Sequence, residues 1–490
     1  MKLSKIMRGV PHELIAGEDS IEIGQICSDS RSVGKGDLFV ALRGLVTDGH
    51  RFIDQALDRG AAAVICETVP DEYRPGIAYI RVEHTDVILG DVAANLYDHP
   101  SDKLRLVGVT GTNGKTTIAT LLYELFRKLG YRVGLISTVC VRIDDETTPS
   151  HLTTPDALTL QRYLHEMVEA GCSYAFMEVS SIAIHQHRIG GTTFAGGIFT
   201  NLTRDHLDYH KTFANYLRAK QIFFDELLTE AFALTNLDET NGMVMVQNTR
   251  AQVHTYALKR SADYKGRLLE EHLDGTDLII DGEEISVRLV GAFNAYNLLA
   301  VYGTARLLGA PKEETLRQIS TLTAVTGRFQ TLASKRGYYA VVDFAHTPDA
   351  LDNVLTTLTD LQRVHHGRVI TVVGAGGHRD KGKRPIMAAT AAKYSDLLIL
   401  TSDNPRDEDP RQILDDLCEG LSREQLSSTL RLVDRREAIR TACTMAQPGD
   451  IILIAGKGHE TYQEINGVRH HFSDVEEVHR VFEDEERRSE

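Results

Sequence analysis

The chain has 490 residues, 42% hydrophobic and 25% charged, which excludes a largely disordered polymer and, at roughly 150 residues per domain, predicts about three domains. Its 54 Lys and Arg stand against 69 Asp and Glu, a net charge of −15 that argues against nucleic-acid binding while leaving room for one locally positive pocket. No apolar run reaches the roughly 18 residues of a membrane span, and six scattered cysteines form no CxxC pair, so a cytoplasmic globular protein without disulfide or zinc scaffold is expected.

Residues 1 to about 100 mix short strand-like runs at 37–42, 62–66 and 78–82 with Gly- and Asp-rich turns. From 101 to 327, apolar strands alternate with amphipathic helices. A strand at 104–109 passes through a glycine turn into a helix whose apolar face repeats at Ile118, Leu121, Leu122, Leu125, Phe126 and Leu129, with Gly130 placed to end it. A strand at 131–136 completes a βαβ unit and predicts parallel pairing. Further strands are expected at 173–179 and up to Thr200, and a helix at 213–224. From 328 to 490 the alternation restarts, with buried strands at 339–343, 368–373, 397–401 and 450–455. The tail EDEERRSE reads as a solvated charged end.

Gly111-Thr112-Asn113-Gly114-Lys115-Thr116-Thr117 lies between the first strand and helix of the middle segment. Glycines let backbone N–H groups approach phosphate oxygens, Lys115 can reach the β- and γ-phosphates, and Thr116 can ligate Mg²⁺. The strict spacing wants glycine at 109, where the chain has Val109 beside Gly108. Glu178 falls at a strand C-terminus, where ligands collect in parallel sheets, and could hold the same metal. His206, beside Asp205, suits a metal ligand or an acid–base pair, or a helix start capped by Thr203 or Asp205. Lys220, taken alone, reads as a surface lysine of its helix. Three more turns follow strands in the last segment: Gly374 to Asp380, Asp403-Asn404-Pro405-Arg406, and Gly456 to Glu460. They should converge on one crevice, where Arg379 and Arg406 would be forked donors for a carboxylate.

At these residues the sequence resembles the Mur ligase family over essentially its whole length. The motifs are Ser28-Asp29-Ser30-Arg31 and 36–42; GTNGKTT; Thr153-Thr154-Pro155; EVSS at 178–181 with Gln186 and Arg188; NLTRDHLDYH; DFAHTPDAL at 343–351; GGHRDKGKRP; and DNPR. Two positions depart from the family pattern, Phe344 in place of Tyr and His378 in place of Asp or Asn. The resemblance implies a three-domain α/β fold: a UDP-sugar-binding domain at 1–100, a central P-loop ATPase domain with a parallel sheet at 101–327, and a Rossmann-like amino-acid-binding domain at 328–490. It implies an ATP-dependent ligase, acting as a monomer, that adds meso-2,6-diaminopimelate to UDP-MurNAc-L-Ala-D-Glu through an acyl phosphate.

By the same resemblance Lys115, Glu178, His206 and Lys220 are catalytic. Thr116 and Glu178 would hold one Mg²⁺, with His206 and a carbamylated Lys220 on or near a second. Asn294, Asn297, Arg328, Asp343 and His346 would join the 111–117 loop around ATP. Ser30, Thr153, Thr154, Ser180, Gln186 and Arg188 would hold the UDP-linked dipeptide. Arg379, Asp403, Asn404, Pro405, Arg406, Gly456 and Glu460 would hold the diaminopimelate. A lysine-adding ligase, a folylpolyglutamate synthase-like ligase and a nucleotide-dependent switch share parts of this pattern. An NAD-binding reading of GAGGHRD leaves the GKT loop unused.

Overall fold

A computed structural model describes residues 1–44, 47–150 and 152–489. Among the described residues, three large sheets follow one another along the chain, with a two-stranded fourth near its end. The first has the strand order Glu13–Ala16, Ala78–Arg81, Ala63–Cys66, Leu38–Val40, Ile26–Cys27, parallel except for its Glu13–Ala16 edge.

The central sheet has 11 strands. Its inner seven are parallel, in the order Tyr264–His272, Gln252–Ala257, Phe232–Asn236, Gly196–Phe199, Arg105–Thr110, Tyr174–Glu178, Val133–Ile136. Antiparallel strands extend both edges: Gly275–Ile280 and Glu283–Val287 on one side, Cys140–Ile143 and Glu146–Pro149 on the other. The expected parallel sheet is thus present at the centre, with antiparallel wings added at both edges. Short hairpin turns make antiparallel wings possible without crossover helices, so the alternating pattern alone did not reveal them.

Successive residues of the inner strands face opposite sides, as the period of two requires. Val107, Val109, Phe176 and Ile198 pack on the helices Lys115–Lys128 and Ala292–Leu307, whereas Leu106, Met177 and Phe199 pack on Ala157–Glu169 and Phe213–Asp225. The Lys115–Lys128 helix buries Ile118, Leu121, Leu122, Leu125 and Phe126, the expected stripe, and ends as Gly130 turns to φ +91°.

The third sheet runs Gln330–Ala333, Tyr339–Asp343, Ile451–Ala455, Val369–Ala375, Leu397–Ser402, Leu430–Leu432, parallel except at the first pair. A hairpin, Tyr462–Ile465 with Val468–His471, stands beside it. The charged tail is solvated only in part, through Glu483, Asp484 and Arg487. It continues the helix Asp474–Ser489, whose Glu485 accepts from Arg336 Nη1 at 2.6 Å and from Tyr338 OH at 3.1 Å. Amphipathic spacing (Val475, Val478, Val481, Phe482) carries that helix onto the sheet, and its acidic residues find partners there.

Candidate active site between the central and C-terminal domains

The 111–117 loop leaves the middle of the central sheet, where neighbouring crossovers diverge and a crevice opens. Its neighbours pin its shape. Thr200 Oγ1 donates to Asn113 O at 2.6 Å, Asn113 N to Asn201 Oδ1 at 2.9 Å, and Thr112 N to Asn201 O at 2.9 Å. Gly111 (φ +149°) has Thr200 Oγ1 1.9 Å from where a Cβ would stand, so only glycine fits. Gly114 (φ +87°) starts the Lys115–Lys128 helix with no side-chain cap, which leaves first-turn N–H groups for an anion.

Two lysines meet on one carbonyl at this loop. Lys115 Nζ donates to Gly111 O and Thr112 O at 2.9 and 2.7 Å, and Lys220 Nζ donates to the same Gly111 O at 2.9 Å. Lys220 is 1% exposed, which corrects its reading as a surface lysine. It shares the buried stripe Tyr216, Ala219, Lys220, Phe223, and its ammonium lies 4.9 Å from the Tyr216 ring centroid. Burial pushes both lysines below their usual range, and the charge of Lys115 lowers Lys220 further.

Across the helix start, Thr116 Oγ1 donates to Glu178 Oε1 at 2.8 Å, and Thr138 N donates to the same oxygen at 2.6 Å. Arg328 Nη2 reaches Thr116 Oγ1 at 3.0 Å from the C-terminal side, and its Nε is buried without a partner. Hard oxygen donors on Thr116 and Glu178, next to a phosphate-shaped loop, suit Mg²⁺.

His206 stands at φ +53° before the turn Leu207–His210, with Asp205 Oδ2 3.5 Å from its Nε2. Neither Thr203 nor Asp205 caps that turn through its side chain, contrary to expectation. Burial lowers His206, Asp205 opposing. Burial works to raise Asp205, yet His206, His346 and Lys383 together hold it below the usual carboxylate range.

On the nucleotide side, Asn297 Oδ1 lies 2.7 Å from the Cβ position of Gly114, and Asn297 Nδ2 donates to Asn294 Oδ1 at 3.0 Å. Asp343 is locked by backbone N–H groups of Phe329 and Ala345, both at 2.7 Å. Phe344 keeps a ring face 4.4 Å from the Arg328 guanidinium, so losing the tyrosine hydroxyl leaves that stacking intact. His346 is pushed down to about 4, chiefly by burial and then by Lys383, whose Nζ donates to its carbonyl at 2.8 Å.

Thr153, Thr154, Ser180, Gln186 and Arg188 form one polar cluster on the other side of Glu178. Thr138 Oγ1 donates to Thr153 Oγ1 at 3.1 Å and Thr154 Oγ1 to Glu178 O at 2.8 Å. Arg188 bonds Gln186 Oε1 and Thr154 O. Ser180 caps the Ser181–His185 helix. Ser30 stands apart in the first domain, its hydroxyl donating to Gln55 Oε1 at 2.7 Å. That domain abuts the cluster where Gly90 packs on Gly190 and Gly191.

The three turns of the last domain do converge. Arg379, Asp403, Asn404, Arg406, Gly456 and Glu460 line one cleft, whose opposite wall carries Asp205, His206 and Asp208 of the central domain. Pro405 is buried beneath it, its carbonyl against Gly377. Arg406 (φ +56°) donates from Nη1 to Gly377 O at 2.6 Å, and Arg379 is exposed. His378 N donates to Glu408 Oε1 at 2.6 Å, a backbone bond that does not depend on the side chain, and its ring pairs with the exposed Asp407. Two site residues escaped the sequence reading. Asp349 accepts from Asn113 Nδ2 at 2.9 Å, tying the C-terminal domain to the phosphate loop, and Lys383 lines the cleft. Both lie within the quoted motifs DFAHTPDAL and GGHRDKGKRP, but their spacing named no role.

Profiles of known families match three segments: "Mur ligase family, catalytic domain" at 22–97, "Mur ligase middle domain" at 109–305, and "Mur ligase, glutamate ligase domain" at 327–458. The UDP-N-acetylmuramoyl-L-alanyl-D-glutamate--2,6-diaminopimelate ligase of Phocaeicola vulgatus is 56% identical over 485 residues, covering 99% of this chain and 100% of its own. That of Clostridioides difficile is 41% identical, with 97% and 98% covered. A solved structure of a ligase of the same name superposes with a TM-score of 0.70 at 35% identity, covering 99% of both chains. A Mycobacterium tuberculosis folylpolyglutamate synthase, at 16% identity and TM-score 0.60 over 75% of this chain and 91% of its own, shares the fold. Three consecutive matches and whole-length relatives agree: the chain belongs to the Mur ligase family.

Proposed function

We propose that this chain is an ATP-dependent ligase that adds meso-2,6-diaminopimelate to UDP-MurNAc-L-Ala-D-Glu, as its relatives' names describe for them. The observation that carries the reading is the shared cleft. Arg379, Arg406 and Glu460 face Asp205 and His206 across it, so an amino-acid site opens toward the phosphate loop. We assign UDP-sugar binding to 1–100, ATP binding to 101–327 and amino-acid binding to 328–490. We place the enzyme in the cytoplasm, and propose that it acts as a monomer.

The chemistry follows from the weakness of a carboxylate as an electrophile. ATP transfers its γ-phosphoryl group to the glutamyl γ-carboxylate, releasing ADP, and the resulting acyl phosphate is attacked by the diaminopimelate amine, which displaces phosphate. Positioning and charge neutralisation do most of this work. Lys115 grips the γ-phosphate from the loop, and Arg328, stacked on Phe344 with a free Nε, adds a second cation. Asn294, Asn297, Asp343 and His346 surround the nucleoside. Ser30, Thr153, Thr154, Ser180, Gln186 and Arg188 hold the UDP-dipeptide. Asp403, Asn404, Pro405 and Gly456 shape the amino-acid pocket around Arg379, Arg406 and Glu460. Thr116 and Glu178 would hold Mg²⁺, with His206 and Lys220 beside a second ion; bound metal neutralises phosphate charge. Asp205, held ionised by its neighbours, is placed to attract the incoming ammonium group.

The direct test is phosphate release with each substrate omitted in turn. A ligase needs all three; a nucleotide switch would hydrolyse ATP without a carboxylate acceptor.

Lys220 carries a narrower expectation. Two ammonium groups on one carbonyl repel, and a neutral buried amine is the form that adds carbon dioxide. Carbamylation replaces one cation with an anionic oxygen ligand and removes the repulsion. Lys220→Ala should then be nearly inactive, and added short carboxylic acids should restore part of the activity. A fully active enzyme whose Lys220 shows no carbamate carbon signal by ¹³C NMR would defeat the idea.

A further inference from the structure

Behind the amino-acid cleft lies a charge that the proposed reaction does not use. Lys457 is 0% exposed. Its Nζ donates to Glu460 Oε2 at 2.8 Å and to Asn404 Oδ1 at 3.2 Å, and lies 5.5 Å from the Tyr462 ring centroid. Asn404 Oδ1 also accepts from Glu464 N at 3.0 Å, while Asn404 Nδ2 donates to Glu460 Oε2 at 2.8 Å. These bonds allow one amide orientation. With its oxygen between an ammonium and a backbone N–H, Asn404 can present its NH₂ only to Glu460.

The strands that deliver these loops are not neighbours. Val369–Ala375 lies between Leu397–Ser402, which leads to Asn404, and Ile451–Ala455, which leads to Glu460. The loops are linked by the bridge of Arg406 with Ile465, where Arg406 N donates to Glu464 O at 3.0 Å, and by Gln463 Nε2 donating to Asp403 O at 2.7 Å; Lys457 adds a buried side-chain link between Asn404 and Glu460. Burying an ammonium is costly unless it is paired and hydrogen-bonded. Here both oxygen partners belong to residues that line the cleft, whereas Lys457 does not line it. Both donors converge on Glu460 Oε2, which leaves Oε1 of the same carboxylate for a ligand.

We infer that Lys457 is the positioning residue of the amino-acid site. It locks Asn404 and Glu460 together so that the carboxylate is aimed at an ammonium group of the incoming amino acid, opposite the carboxylate-binding Arg379 and Arg406. The inference rests on the ligase reading above and adds to it the residue that sets the geometry of that pocket.

The test is steady-state kinetics of the full-length enzyme with ATP and UDP-MurNAc-L-Ala-D-Glu saturating. Lys457→Met should raise KM for diaminopimelate at least tenfold, with KM for ATP within about twofold of wild type and a cooperative, if lowered, melting transition. Lys457→Gln, which keeps one donor in similar volume, should fall between the two. An unchanged KM for diaminopimelate in a folded variant overturns the inference, as does an equal rise in both KM values, the mark of general loosening. If the Met variant does not fold, the Gln variant decides by the same criteria. A wild-type enzyme that cannot use diaminopimelate at all sinks the ligase reading, and this inference with it, before any variant is compared.

Discussion

Lys115→Ala is expected to fold and to form no measurable tripeptide. The loop does not depend on this side chain for its shape, because Thr200 and Asn201 hold Asn113 and Thr112 through four hydrogen bonds that the substitution leaves in place. What disappears is a preorganised cation at the point where phosphate charge develops. Removing one such donor costs about 3–4 kcal/mol, a factor of about 10²–10³ in kcat. Loss of the ATP contact in the ground state should add to this through KM. Phosphate release and tripeptide formation, measured beside a circular dichroism melt, check it. Wild-type turnover in a well-folded variant would remove the phosphate loop from the mechanism.

The second large effect concerns which diamino acid is accepted, and it turns on Arg406. Diaminopimelate is lysine with a second carboxylate at its far end, and a guanidinium fork matches a carboxylate through two hydrogen bonds. Arg406 is half-buried in the cleft and held at φ +56° with its backbone N–H on Glu464 O, so its direction is set by the hairpin behind it. Its Nη1 donates to Gly377 O, which leaves the rest of the fork for a carboxylate. A hydrogen bond to a charged group contributes about 1.5–3 kcal/mol, so lysine should lose about tenfold to a hundredfold for one missing pair. Leaving both Arg379 and Arg406 unpaired in a closed pocket should widen the ratio toward about 10⁴. The measurement is kcat/KM for both amino acids with wild type and Arg406→Ala. Comparable wild-type values for lysine and meso-diaminopimelate would refute the assignment, and so would a variant that keeps the full preference.

Chemistry that depends on near neighbours in the chain was legible before any fold was known. The phosphate loop is one strand, one turn and one helix, and its glycines, lysine and threonine act within seven residues of each other. The glycine turns after strands were legible for the same reason, since a buried parallel strand sends its C-terminal end to the ligand side. Lys220 was half legible. Read as a surface residue, it lies in register with Tyr216, Ala219 and Phe223, which the structure shows to be the buried face of its helix.

Tertiary structure alone decided the rest. Arg328 meets Thr116 across 212 residues and Asn113 meets Asp349 across 236, and no periodicity carries information over such separations. The antiparallel wings of the central sheet and the docking of the C-terminal helix depend on which edge and face remain open once the inner strands have paired. Lys457 shows the limit most sharply. As sequence it is one lysine in a glycine turn; burial between two loops from strands that do not touch makes it a charge that needs partners, and it finds hydrogen-bond acceptors in Asn404 and Glu460. Local sequence selects the groups that can do the chemistry, whereas burial and long-range packing determine which of them share a low-dielectric space where charge is strong enough to position a substrate.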